Sequence, residues 1–414
     1  MNERFVMPAR LKITSMALIA IGLLTIIIGA VVLLGSSSDM DKIRFWDALM
    51  HNSIYFFVVS AAAIFIIAAV TLAQGSWIIA YRRVPEAIGA NIWLFGLIAM
   101  IVMFLVAFVV RVHTPFGDFS PIYKWMTPFD KLTGKADLNV LGKRVILNGT
   151  TFAIFTIITI GLYSYFGFKI RSLSLSQDKA RRNSTKIYWK TFTVSGLFLV
   201  FYALTQMSIQ PWMWVMSIDA HWYSTMFSWY SWSSSFVAVM GVILLFVVYL
   251  KNQGYYQIVN MEHIHDLGKF MFAFSIFWTY VWFDQFMLIW YANIPEETTY
   301  FKIRMQGPYS VIWFAVFIIC FIMPFLILMS RPSKRNYFTV SFMALVLFFG
   351  HWLDFYQMIY PGTMGGNWHI DWYEIGILCG FIGTLIYSTT LSLSRHPLIP
   401  YNHPMLKEAL VHVS

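Results

Sequence analysis

Several acids and histidines of this 414-residue chain stand inside long apolar stretches, where an ionisable side chain is costly and is often functional. Asp47 and His51 are four residues apart, and His351 and Asp354 are three apart, so each pair can share one helix face. Because burial raises a carboxyl pKa and histidine titrates near neutrality, such pairs can pass protons. They could equally accept hydrogen bonds from quinol hydroxyls. The residue types alone do not separate the two chemistries.

Further acids occur close to the same depth. Asp284 lies about fifteen residues into its apolar stretch, or ~23 Å along a helix, and Asp219 and His221 precede another stretch. Each buried acid could instead simply hydrogen-bond to a Trp, Tyr, Ser or His of a neighbouring helix. Asp371 and Glu374 open a third stretch, and we expect these two acids and Asp219 to be solvent-exposed.

A cluster of Glu262, His263, His265 and Asp266 superficially resembles a metal site. A His-x-His spacing separates the two rings on a helix or a strand, and no HExxH motif occurs. The cluster is therefore predicted to lie in an exposed loop, which could also admit protons.

The composition places these residues in a membrane protein. Hydrophobic residues make up 59% of the chain, charged residues only 12%, and mean hydropathy is +0.65. So few charges cannot cover a soluble surface, and the chain is too apolar to be disordered. The sequence predicts an all-α integral membrane protein with ten helices long enough to cross about 30 Å of hydrocarbon. Their predicted ranges are 11–35, 47–74, 88–111, 145–168, 188–209, 224–250, 269–293, 309–330, 337–360 and 372–394.

The ten predicted helices suggest an architecture and an orientation. We expect two four-helix bundles, helices two to five and six to nine, with helices one and ten outside. The stretch 112–144 is long enough to pack over one face. With cytoplasmic termini, the cytoplasmic segments hold 19 of the 29 Lys and Arg residues, which follows the positive-inside rule. The net charge of +10 is thus a topology signal rather than a sign of nucleic-acid binding.

The residues that would hold a cofactor are few. The two cysteines, Cys320 and Cys379, lie in separate apolar stretches, and no CxxC or CxxCH motif occurs. Covalent haem attachment, iron–sulfur ligation and a cysteine zinc site are therefore excluded on ligand count. No GxxxxGK[ST] motif is present, which excludes a P-loop nucleotide-driven pump.

Two segments carry a family resemblance. One reads Ser-Ile-Asp-Ala-His-Trp-Tyr-Ser-Thr from Ser217 to Thr225, and the other runs from Trp278 through Asp284 to Thr298. With the ten-helix layout, they resemble the F subunit of alternative complex III, the quinol:cytochrome c oxidoreductase of some bacteria. More broadly, the layout resembles the polysulfide-reductase/NrfD-type membrane subunits.

The resemblance implies a multi-pass subunit of a bacterial inner membrane, surrounded by lipids. It implies partner subunits that carry haem c and iron–sulfur clusters, and a homologous membrane subunit as the usual site of quinol oxidation. This chain would bind no cofactor itself, although a quinone site stays open. The F-type subunit would have a supporting role with a proton path, to which depth and chemistry assign Asp47, His51, Asp219, His221, Asp284, His351 and Asp354.

Two other functions remain. A proton-coupled secondary transporter would use Asp284 and Asp354 as coupling-ion sites, although Pro324 is the only clearly mid-helix proline. A purely structural membrane anchor would conduct no protons and would satisfy every buried acid with hydrogen bonds.

Overall fold

A computed structural model describes residues 4–130, 133–180, 185–367 and 370–412. Within these ranges, ten helices are long and apolar enough to cross a membrane, and the chain is an all-α multi-pass membrane protein as predicted. Residues 181–184, in the basic connection between the fourth and fifth helices, lie outside them. In chain order, spans 1 to 10 are Ala9–Leu34, Asp39–Leu72, Arg83–Val109, Gly149–Lys179, Lys186–Ile218, Phe227–Asn252, Met261–Ala292, Ser310–Leu328, Tyr337–Met364 and Trp372–Ser394.

Short elements connect the spans. Four spans also contain π-helical turns, at Ala30–Leu34, Leu105–Val109, Thr205–Val215 and Ile318–Ile322. Pro211 lies inside one of these turns and Pro324 follows another, so local widening of the helix accommodates residues that cannot donate a backbone hydrogen bond. The short elements are the helices Trp77–Tyr81, Lys124–Met126, Leu138–Gly142, Pro295–Gln306, Arg331–Arg335 and Leu406–Leu410, and an antiparallel hairpin of Val112–Thr114 with Gly117–Phe119.

The spans form two groups of four, in agreement with the predicted bundles. Spans 2 to 5 pack around one another, and so do spans 6 to 9. Span 2 contacts spans 6 and 9 and so joins the two bundles, whereas span 1 packs mainly along span 10 at the periphery. Spans 2 and 6 are the most enclosed, since 89% of the residues in the apolar 18-residue segment of each span are buried. Polar side chains on these two helices must therefore find partners inside the protein.

Close packing of spans 1 and 10 depends on glycine. A Cβ atom built on Gly22 would lie 2.4 Å from the Cα atom of Gly380, and one on Gly380 would lie 2.8 Å from Gly22 Cα. Only glycine permits such an approach of two helix backbones, a pattern common between membrane helices.

Alternating crossings place the connections on two sides. We call the side with the N-terminus, residues 73–82, 253–260, 329–336 and 395–412 the terminal side, and the side with 110–148, 219–226 and 293–309 the loop side. The 110–148 segment packs over the loop side, as predicted, with Tyr123 and Trp125 buried. The Tyr123 hydroxyl donates to the Trp214 carbonyl at 2.9 Å, which attaches the 110–148 segment to span 5.

The predicted exposed loop at 262–266 is wrong, because span 7 begins earlier than expected. The Asn260 side chain accepts hydrogen bonds from the backbone N–H groups of Glu262 and His263 and caps the helix. His263, His265 and Asp266 are buried. The four residues do not form a metal site: in the ranges that the structure covers, no three potential ligands are grouped suitably.

The predicted exposure of Glu374 is also wrong. Its carboxylate has no exposed side-chain surface and accepts two hydrogen bonds from Arg44, each 2.8 Å long. Asp371, at the start of the same helix, remains partly exposed. Partial burial acts to raise the pKa of Asp371, but the backbone N–H of Tyr373 and the Arg44 guanidinium outweigh it, so the pKa is lowered.

Candidate functional site

Span 9 carries the residues around which the candidate site is built. His351 and Asp354 share one face of this helix, and Thr363 lies two and a half turns further towards the loop side. All three side chains are buried. His351 and Asp354 contact Ser234 of span 6 inside the second bundle, whereas Thr363 contacts Asp47 of span 2 across the junction of the two bundles. The site therefore runs from the interior of the second bundle to that junction, in the loop-side half of span 9.

Asp354 has three hydrogen-bond donors. The Tyr230 hydroxyl donates to Oδ1, while the Ser234 hydroxyl and the Trp278 indole donate to Oδ2 at 2.7 and 2.9 Å. Tyr230 and Ser234 are one turn apart on span 6, so the enclosed helix presents both groups to the acid. The predicted alternative of neighbouring Tyr, Ser and Trp partners describes these contacts correctly.

His351 extends this group into a relay. Its Nδ1 atom lies 3.0 Å from the Ser234 hydroxyl oxygen and 3.8 Å from Oδ2 of Asp354. Since the single proton of Ser234 is donated to Asp354, the imidazole Nδ1–H must be the donor to Ser234. His351, Ser234 and Asp354 thus form a continuous chain of hydrogen bonds. The His351 Nε2 atom has no hydrogen-bond partner among the described residues.

Asp47 and His51 form a second buried group. The Thr363 hydroxyl donates to Oδ2 of Asp47, and His51 Nε2 donates to the Trp352 carbonyl at 2.9 Å. Asp47 and His51 are not hydrogen-bonded to each other in the described chain. Stacked Tyr356 and Tyr360 lie against the His51 ring, with centroids 5.9 and 6.0 Å from it.

The Asp47 group lies beneath a cavity of about 690 Å³ on the loop side, which we call the vestibule. Thr363 and Lys124 line it, and the Lys124 ammonium donates to the Gly362 carbonyl at 2.8 Å. Most of the other polar lining is acidic. The vestibule acids and their neighbouring histidine are Asp39, Asp130, Asp137, Asp219 and His221. Thr363 therefore bridges a fully buried acid and a cavity rich in carboxylates.

Tyr309 precedes span 8 and is close enough to Asp47 for the two groups to interact electrostatically. It is fully buried, and its hydroxyl has no hydrogen-bond partner among the residues described. Burial, with a contribution from the Asp47 carboxylate, raises the pKa of Tyr309, so this phenol stays protonated at neutral pH. It adds an uncharged hydroxyl to the buried polar groups near Asp47.

Asp219 and His221, predicted as candidates, lie on the wall of the vestibule but do not pair with each other. Asp219 binds the buried Arg304 guanidinium at 3.1 Å, and its side chain is partly exposed on the cavity wall. Arg304 also donates to the Gln357 carbonyl at 3.0 Å. The half-exposed His221 lies 2.8 Å from Asp137. Together these groups give the vestibule fixed charges next to the start of span 6.

Asp284 is not part of this site. It occupies an outward face of span 7, where the neighbouring Phe283, Met287 and Leu288 are exposed. Within the described residues it forms no hydrogen bond or ion pair. Trp282-Phe283-Asp284 and Trp352-Leu353-Asp354 share a Trp-x-Asp spacing. Their acids nevertheless differ, because Asp354 is fully buried and hydrogen-bonded, whereas Asp284 is only partly buried and forms no hydrogen bond among the described residues. The structure does not bring Asp284 and Asp354 together as one ion site.

Sequence reasoning missed Tyr230, Ser234, Trp278 and Thr363. Span 6 is rich in serine, but Ser231 and Ser233 donate to carbonyls of their own helix. The signal that was available is the spacing of Tyr230 and Ser234, which places two hydroxyls on one helix face. Tyr280, a hydroxyl of span 7 at a similar depth, is 62% exposed.

The groups around Asp354 do not fit a quinol head. Both carboxylate oxygens already accept hydrogen bonds from protein donors, and neither Asp354 nor His351 lines the vestibule. What the arrangement offers chemically is proton storage and transfer among carboxylate, imidazole and hydroxyl groups.

Comparisons of the chain with the models of known protein families and with curated proteins found no match.

Proposed function

We propose that this chain is a cofactor-free membrane subunit of a respiratory quinol:cytochrome c oxidoreductase, in which buried Asp and His groups move protons towards the loop side. The resemblance of the segments 217–225 and 278–298 motivates the assignment to that class of complex. The observation that carries the proton path is Thr363, which contacts both the buried Asp47 and the vestibule. A buried acid with such an outlet can exchange its proton with the aqueous side.

The inner part of the path is the His351–Ser234–Asp354 chain. About nine residues of span 9, or ~13 Å, separate Asp354 from Thr363. His51 Nδ1, Tyr360 Oη and Asp47 Oδ1 lie along this interval and have no hydrogen-bond partner in the described residues. Since buried polar atoms nearly always find a partner, we expect water molecules to bridge them and to complete the path.

The outward face of span 7 supports assembly with partner subunits. A carboxylate at membrane depth is costly unless it is paired, and Asp284 has no partner in the described chain. Phe283, Trp290 and Tyr291 of the same helix are exposed and give this part of span 7 a surface suited to a protein contact. A partner helix with a hydrogen-bond donor at this depth, such as one of a homologous membrane subunit, would satisfy Asp284.

Orientation follows from the charges. The terminal side carries most of the Lys and Arg residues, and by the positive-inside rule it would face the cytoplasm of a bacterial inner membrane. The vestibule would then open to the outer side, where a quinol-oxidising complex releases its protons.

Purification of the tagged chain from its native membrane tests the proposal. We expect co-purification of haem c and iron–sulfur absorbance and of quinol:cytochrome c activity. The variants Asp47→Asn and Asp354→Asn should lower proton release per electron at least twofold, measured on the fraction of each variant that purifies as the full complex. The conservative Asp118→Asn, on the exposed loop-side hairpin outside the vestibule, is the matched control.

Each rival function has its own outcome. Normal proton release in both variants would exclude the proton path and support the function of a purely structural membrane anchor. Isolation of the chain alone, with proton-driven solute uptake after reconstitution, would favour the transporter. Loss of the partners in Asp284→Asn alone would support the proposed contact on span 7.

A further inference from the structure

A large cavity opens on the terminal side, away from the candidate proton path. Its volume is about 870 Å³, within the range of roughly 300–1,000 Å³ typical of ligand sites. It lies among the terminal-side ends of spans 3, 4 and 10 and the short N-terminal segment. No residue of the Asp47 or Asp354 groups lines it.

The cavity is strongly basic. Four permanent cations line it, Arg4, Arg171, Lys179 and Arg395, against a single acid, Asp178. The Asp178 carboxylate is already bound by the buried Arg83 guanidinium. The lining therefore has a net charge of about +3, and Asp178 is not available to neutralise it.

Three of these cations are unpartnered in the part of the chain that the structure describes. The side chains of Arg4, Lys179 and Arg395 are exposed and form no ion pair or hydrogen bond with any described residue. Arg171 donates only to neutral backbone carbonyls, those of Glu86 and Ser392, both at 3.1 Å. Because all four converge on one cavity whose single described acid, Asp178, is already bound by Arg83, the site is complementary to an anion.

The cavity also has an apolar wall at membrane depth. Leu94, Leu175 and Leu391 line its interior. Trp93 and Phe168, which also line it, are 59% and 72% exposed on the bilayer-facing sides of spans 3 and 4. A ligand with a charged head and long hydrocarbon chains matches this combination, whereas a small soluble anion would leave the apolar wall unused.

We infer that this cavity binds an anionic phospholipid, with the phosphate among the four cations and the acyl chains along Trp93 and Phe168. The shared chemistry of the head is a phosphate group, and the lipid is the source of it that the apolar wall favours. The inference needs only the membrane location of the chain and is independent of the proposed proton path.

The test compares two triple variants of the purified protein in detergent. Arg4→Gln, Lys179→Gln and Arg395→Gln together remove the unpartnered cations of the cavity. Lys169→Gln, Lys186→Gln and Lys190→Gln together make the same charge change at exposed positions outside the cavity. Native mass spectrometry and thermal unfolding are recorded during titration with phosphatidylglycerol, phosphatidylcholine or inorganic phosphate.

We expect phosphatidylglycerol to bind the wild type at least tenfold more tightly than phosphatidylcholine does, and the cavity variant to lose at least tenfold in that affinity. The control variant should bind like the wild type. Equal weakening in both variants would mean general surface attraction and would overturn the inference, as would unchanged binding in the cavity variant. Stabilisation of the wild type by inorganic phosphate as strong as that by phosphatidylglycerol would assign the site to a soluble anion instead. That comparison requires no variant, so the inference stays testable if a variant fails to fold.

Discussion

The Thr363 hydroxyl donates a hydrogen bond to Oδ2 of Asp47, so a residue of the vestibule wall directly contacts an acid with no exposed surface. The same hydroxyl lies 3.1 Å from the Tyr360 carbonyl of its own helix. Thr363 thus links a buried acid of span 2 to the wall of the vestibule.

Replacing this hydroxyl should destabilise the protein. Thr363→Val keeps the side-chain shape but leaves Asp47 without its donor, and we expect a loss of about 1–3 kcal/mol in the free energy of unfolding. Thr363→Ser retains the hydroxyl and should lose less than half as much. Unfolding of the purified chain in mixed micelles measures both values. Equal stability of Thr363→Val and the wild type would show that the Thr363–Asp47 hydrogen bond does not contribute to the free energy of unfolding.

Asp354 and Asp284 should respond differently to the same change. Asp354→Asn offers only one acceptor oxygen to Tyr230, Ser234 and Trp278 and adds an N–H₂ group that faces donors. We expect a loss of about 2–4 kcal/mol. Asp284→Asn, in the same Trp-x-Asp context, should change the stability of the isolated chain by less than about 0.5 kcal/mol. A similar loss in both variants, measured by the same unfolding assay, would contradict the environments described for the two acids.

These two acids show how far sequence could lead. Length and apolarity predict all ten spans, because a helix must satisfy its own backbone in hydrocarbon. The i,i+3 and i,i+4 spacings identified His351 with Asp354 and Asp47 with His51 as residues of one helix face. These spacings could not show that Asp354 faces the bundle interior while Asp284 faces outward, since that depends on how each helix is rotated against its neighbours.

Partners distant in the chain were not predictable for the same reason. Tyr230 reaches Asp354 across 124 positions, and Arg44 reaches Glu374 across 330. From sequence alone, an acid at the end of a span is predicted to be exposed. Only the packing of the helices shows whether a buried cation pairs with it. Arg44 lies in the first turns of span 2, and only the docking of span 10 brings it to Glu374.

The glycine contact between spans 1 and 10 should tolerate no side chain. Gly380→Ala places a methyl group 2.8 Å from the backbone of Gly22, and neither backbone can yield without separating the helices. We expect a loss of about 1–3 kcal/mol in the free energy of unfolding, typical of overpacking. Gly161→Ala on span 4 meets nothing within 4 Å and is the matched control, which should not be destabilised. A Gly380→Ala protein as stable as the control would mean that the two helices pack less closely than described.

His403 should make the terminal side sensitive to acid. Its imidazole is buried against the Tyr188 ring, and burial, aided by Arg82, lowers the pKa of His403 to about 3. Arg83 acts in the same direction, and Glu86 opposes it. The unfolded chain, with an ordinary histidine pKa near 6.5, therefore binds more protons than the folded chain between about pH 3 and pH 6.5.

Stability should consequently fall as the pH drops through this window. At pH 5, His403 lowers the free energy of unfolding by about 2 kcal/mol relative to neutral pH. Each pH unit below the histidine pKa of the unfolded chain accounts for about 1.36 kcal/mol of this loss. His403→Gln removes the titrating group, so the difference in unfolding free energy between pH 7.5 and pH 5 should shrink by about that amount. An undiminished pH difference in His403→Gln would show that His403 is protonated in the folded protein at pH 5, against the burial and the neighbouring arginines that keep it neutral.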